Sequence, residues 1–152
     1  MGSSTHRDAL GALANLVVWI AIVVFSAIGV SGVVFGPWEF TRLFVVDFDD
    51  LGPNAVTLEN QFRFLKAIEL AVGVWLYSVR ERAFSDPAIR RAVVATFTVT
   101  PVARLVSCAA DGIPNGWFVA LMGLELLAAA VVAAHAFRQS RSLESPRRAV
   151  TT

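Results

Sequence analysis

From Ala9 to Trp38 the chain runs 30 consecutive positions without an Asp, Glu, Lys or Arg, and Leu10 to Phe35 is almost wholly Leu, Val, Ile, Ala, Phe and Gly. A hydrocarbon layer about 30 Å thick is crossed by roughly 20 apolar helical residues. This stretch is therefore a membrane span with room for tilt. Its apolar run is nearly twice a signal-peptide core, and no small-x-small cleavage pattern precedes Gly36-Pro37-Trp38, so the helix is expected to be retained. His6 stands where the myristoylation pattern requires Ser or Thr, so no lipid anchor is inferred.

The rest of the chain agrees with that start. Hydrophobic residues make up 56% of the 152 and charged residues only 16%, with a mean hydropathy of +0.63, which defines an integral membrane protein. The formal net charge of +1 gives no basic patch for nucleic acid. Cys108 is the single cysteine, which excludes an internal disulfide and any Cys-based metal motif. No cofactor is implied.

Three more apolar stretches, about 59–82, 87–110 and 115–137, are each long enough to span. The first helix is expected at about 10–35. The expected fold is thus an all-α bundle of four transmembrane helices over residues 1–138, with 139–152 as a flexible cytoplasmic tail. Between helices one and two, Trp38, Phe40, Leu43, Phe44 and Phe48 alternate with Glu39, Arg42, Asp47, Asp49 and Asp50 ahead of Gly52-Pro53-Asn54. Such a run is too short and too charged to cross, and reads as an amphipathic interfacial element.

Orientation follows from the basic residues. Arg7, Arg80, Arg82, Arg90, Arg91, Arg138, Arg141, Arg147 and Arg148 fall on one side, nine of the 13 Lys and Arg. The opposite side has Arg42 among Glu39, Asp47, Asp49, Asp50 and Asp111. Both termini are accordingly expected in the cytoplasm.

Five ionisable residues lie inside these spans: Arg63, Lys66 and Glu69 on the second helix, Arg104 on the third, Glu125 on the fourth. An isolated charge at midplane costs about 2.5–3.5 kcal/mol or more, so each needs a compensating partner. At 100° per residue, Glu59, Arg63, Lys66, Glu69 and Tyr77 share one polar stripe within about 120° of arc. Counting 1.5 Å per residue from the outer boundary puts Lys66 at about 10 Å, Glu69 at about 15 Å, Arg104 at about 9 Å and Glu125 at about 15 Å depth. Matching depths allow these groups to meet, with Asp111 near the mouth. Pro101 withholds a backbone bond one turn before Arg104, where polar groups collect.

Three readings of this cluster stand side by side. Ion pairs can simply fix helix register, the groups can form a ligand site or proton path, or Asp111 and Glu125 can serve as acid and base. No nucleophile or orienting group stands at a recognisable spacing, so an enzyme is not expected. His135 sits about 15 Å from Glu125 along the fourth helix and is expected as an interfacial residue, not a ligand. Asp47-x-Asp49-Asp50 lacks an oxygen donor at Leu51 and the closing Glu at Leu58, so it is no calcium loop. Gly32-x-x-x-Gly36 fits close helix packing, and Trp75 and Tyr77 read as belt and core residues.

The linear order of Phe35-Gly36-Pro37, Asn60-x-x-Arg63, Arg104-x-x-Ser107, Asp111-Gly112-Ile113-Pro114 and Glu125 resembles a family of small bacterial four-helix inner-membrane proteins catalogued as a domain of unknown function. The resemblance covers about 10–137. It implies that Arg63, Arg104, Asp111, Gly112, Pro114 and Glu125 carry the family pattern, and Lys66 falls outside it. The likeness in size to DoxX-like membrane proteins is one of architecture.

The expectation is a non-enzymatic accessory or scaffold subunit of the bacterial inner membrane, or a binder of an anionic amphiphile such as a membrane lipid. Arg63, Lys66 and Arg104 would face its head, and Glu69, Asp111 and Glu125 would complete the site. Another membrane protein or a second copy is the further partner expected. The alternative is a small proton-linked transporter using Glu69 or Glu125 as carrier.

Overall fold

The computed structural model describes residues 3–44, 52 and 54–148. Most of the expected interfacial run, including Asp47, Phe48, Asp49 and Asp50, lies outside them. The described fold is all-α: α1 (Ser3–Phe44), α2 (Ala55–Val79), α3 (Pro87–Asp111) and α4 (Gly116–Arg148), with no strand among the described residues.

Length and composition make three helical stretches able to cross a membrane: Ala9–Gly36, Pro87–Asp111 and Gly116–Arg141. The chain is a membrane protein. Four such spans were expected, and α2 is the exception. Its 25 residues are long enough, but Glu59, Arg63, Lys66 and Glu69 crowd its first two-thirds, and every charge lowers the apolar content that a span requires.

Local chemistry sets the boundaries. Gly36 has φ 2° and ψ −79°, a kink inside α1. The next residue, Pro37, supplies no N–H to the helix ladder, and such a pair is a usual cause of sharp bends. The bend falls at the last residue of the first span. At the start of α3 the Asp86 carboxylate accepts hydrogen bonds from Ala88 N (2.8 Å) and Ile89 N (3.2 Å), with Pro87 at the first helical position. Gly112 ends α3 with φ 99°, a backbone region that favours glycine. Asn115 then caps α4 by accepting from Phe118 N at 3.2 Å. α4 continues past the expected 137 to Arg148, with Ser140 Oγ on Ala136 O (3.1 Å) and the Arg141 guanidinium 4.4 Å from the Phe137 ring centre.

The chain forms two compact units. The first comprises residues 1–18 and 79–152 and the second residues 19–78. In the first, α3 and α4 pack together, and the buried hydrophobic core is Ala14, Val18, Val79, Ala83, Phe84, Val93, Val132 and Ala136. Two polar residues join that core. Arg90 is 8% exposed and donates to Phe84 O at 3.3 Å, and His135 is 8% exposed with its ring edge-on to Phe84 at 4.6 Å. The expected interfacial histidine is thus a core residue. Gly11 makes the space: a Cβ there would meet His135 Cε1 at 3.2 Å.

The second unit pairs the remainder of α1 with α2 through absent side chains. A Cβ on Gly29 would lie 2.5 Å from Leu70 N, one on Gly36 would lie 2.6 Å from Arg63 Nε, and one on Gly32 would fall onto the Lys66 stem. From the other side, a Cβ on Gly73 would lie 2.9 Å from Ser26 N. Backbones approach this closely only where one partner is glycine. The expected Gly32-x-x-x-Gly36 contact is therefore extended by Gly29 and Gly73.

Candidate functional site

The polar residues expected in the spans fall into two sets, one in each unit. In unit 2, Lys66 is 8% exposed although charged. Its methylene stem lies in the notch left by Gly32, and its ammonium reaches Glu69 Oε2 at 2.9 Å and stands 5.2 Å from the Phe62 ring centre. Arg63 crosses Gly36 and pairs with Glu59 at 2.6 Å, one turn back on α2. Each cation is thus matched by a carboxylate three or four residues away. Both pairs lie within α2.

In unit 1 the expected meeting of Arg104 and Glu125 occurs. Arg104 Nε donates to Glu125 Oε2 at 2.8 Å, joining α3 to α4, with the side chains 33% and 22% exposed. The guanidinium carbon is also 5.7 Å from the Phe118 ring centre. This hydrogen bond uses one of five guanidinium N–H donors. The four on the two terminal nitrogens make no hydrogen bond among the described residues. Pro101 is fully buried one turn earlier on α3, and its missing N–H removes a bond from the helix ladder. Asp111 is not part of that pair: it accepts from Ser107 Oγ at 3.1 Å, at the exposed end of α3.

Three residues escaped the sequence reading. Arg90 and His135 were placed among the basic flank and at the interface, and the structure buries both. Neither has a periodic signal in the sequence: His135 lies against Gly11 and Phe84 from distant segments, and Arg90 folds back onto Phe84 O six residues earlier. Glu39 was counted as part of an acidic loop, yet its Oε2 is buried and has no hydrogen-bond partner. No group of three or more His, Cys, Asp or Glu able to hold a metal occurs among the described residues.

Three helices apolar enough to cross a membrane, with charged pairs within α2 and between α3 and α4, define an all-α class of membrane protein. Within that class, the chain belongs to the family described as Domain of unknown function (DUF4345), whose model it matches over residues 13–135. No curated protein and no solved structure matches it.

Proposed function

We propose that this is a non-enzymatic protein of the bacterial inner membrane that binds the anionic head of an amphiphile, a membrane lipid, at Arg104. The observation that carries the reading is the single-donor pair with Glu125. One N–H of the guanidinium is engaged, and two terminal amino groups remain to form the paired hydrogen bonds that phosphate and carboxylate favour. Arg104 is seven residues from the end of α3, about 10 Å, within reach of a headgroup for so long a side chain. In this reading α2 is the fourth span, its charges neutralised within the helix, and both termini face the cytoplasm. Proton transport by Glu69 or Glu125 ranks second, since each carboxylate already holds a cation and would have to release it before taking a proton.

Native mass spectrometry of the detergent-extracted protein tests the reading. Wild type should retain anionic phospholipid, Arg104→Ala and Arg104→Gln should lose it at least about fivefold, and Glu125→Gln should change it less than about twofold. Wild type without bound lipid, or equal retention in folded Arg104 variants, overturns it.

A further inference from the structure

A second feature, confined to unit 2, is independent of Arg104. Trp19, Ser26, Val30, Ser31 and Phe35 of α1 and Tyr77 of α2 line a groove of about 620 Å³. Its floor lies in the Ala9–Gly36 span, whose hydropathy of 2.6 places it among acyl chains, so its occupant is apolar. Trp19 to Phe35 covers 16 helical steps, about 24 Å, so the groove runs along much of the span as an open apolar trough. A flexible hydrocarbon chain can follow such a trough through carbon contacts at about 3.5–4.0 Å, and the charge at its end decides what that chain belongs to.

The mouth of the groove carries a charge. Phe35 meets the Trp38 ring edge-on at 6.3 Å, and the Arg42 guanidinium lies 4.2 Å from the Trp38 ring centre. These rings run on from the groove across the kink at Gly36, where the span ends. Arg42 is exposed and forms no ion pair among the described residues. The nearest carboxylate in sequence, Glu39, is not its partner. A cation without an ion pair among the described residues thus stands at the end of an apolar trough, at the level where aromatic residues meet headgroups.

We propose that unit 2 binds one anionic phospholipid, with an acyl chain in the groove from Phe35 to Trp19 and the phosphate on Arg42. The site is built from residues of unit 2 alone, and its test does not rest on the Arg104 reading.

The test uses the full chain in vesicles of phosphatidylglycerol and phosphatidylcholine, with a trace of phosphatidylglycerol bearing a photoactivatable diazirine in one acyl chain. After irradiation, peptide mapping should concentrate the label on residues 19–35 and Tyr77. Ser31→Leu and Val30→Trp, which fill the groove, should each cut that labelling at least about fivefold. Arg42→Gln should cut it about fivefold, the effect of removing one arginine from an anionic surface, and phosphatidylcholine bearing the same chain should label as weakly. Arg104→Ala should leave it unchanged, so the two sites fail or stand separately. Label spread evenly over exposed positions such as Val99, Val106 and Leu124 overturns the proposal. So does groove labelling indifferent to the headgroup or to the filling variants, provided those variants melt like wild type. High-yield disulfide joining of two copies through Ser31→Cys in a Cys108→Ala background would assign the groove to a second copy instead.

Discussion

Glycines in this chain divide by what stands opposite them. At Gly29 a Cβ would press on Leu70 N at 2.5 Å and Leu70 Cα at 2.7 Å, backbone atoms that move only if the helices part. Gly29→Ala should therefore destabilise the fold by about 2–3 kcal/mol, at the upper end for overpacking. Gly123 in α4 meets nothing within 4 Å, so Gly123→Ala should stabilise by about 0.5–1 kcal/mol through helix propensity alone. Reversible unfolding in mixed micelles, followed by circular dichroism, measures both, and equal effects would refute the distinction. Gly32 stands with Gly29, since a Cβ there would fall on the near end of the Lys66 stem, whose own Cβ, 2.9 Å away, is fixed by the backbone. This explains what the sequence concealed about Lys66. A lysine in an apolar run announces a compensating partner, and Glu69 three residues on was readable as one. The notch that buries the stem belongs to another helix, and no local pattern encodes it.

Helices α1, α3 and α4 were plain from composition, because lipid demands long uncharged runs and these segments supply them. Helix α2 was readable as a helix from its polar stripe, but its charge content sets it apart from the other three. The kink in α1 followed from Gly36-Pro37 only in location, not in the coupling of Phe35 to Trp38 across it. Capping offers a direct test. Hydrogen bonds from Ile89 N and then Ala88 N hold the Asp86 carboxyl below its ordinary 3.8, and the positive charges of Arg82 and Arg90 act in the same direction. A lowered folded-state value means the cap stabilises α3 fully above about pH 4 and loses that contribution as pH falls through the folded value. The thermal midpoint of wild type minus that of Asp86→Ala should therefore be positive and constant from pH 7 to pH 5, and should shrink on further acidification. A difference that grows on acidification would contradict the cap.

For the chain in its bilayer, the spacing of charges foretold that Arg104 would find Glu125, because both sit at similar heights on helices joined by a short connection. Glu59, four residues before Arg63 in the favourable order, was legible as its partner in the same way; the choice of Lys66 between Glu69 on its own helix and a carboxylate on another was not, since one polar stripe serves equally for both. The membrane path has its own test. In a Cys108→Ala background, single cysteines at positions 8, 113 and 139 can be probed with an impermeant maleimide. With four crossings, Ile113→Cys should react from outside in intact cells, and Asp8→Cys and Gln139→Cys only after permeabilisation. If α2 does not cross, Gln139→Cys reacts from outside and Ile113→Cys does not.

Residues 1–18 belong to the same compact unit as residues 79–152, where Gly11 receives the ring of His135. The segment around Gly11 is thus completed by one that leaves the ribosome more than a hundred residues later. Until α4 emerges, the notch at Gly11 stands unfilled, and a polypeptide stalled after α3 holds a half-made core. Quality control that recognises such an intermediate would have its longest window in the time needed to synthesise roughly 120 residues, which is the delay that so non-local a contact imposes on maturation.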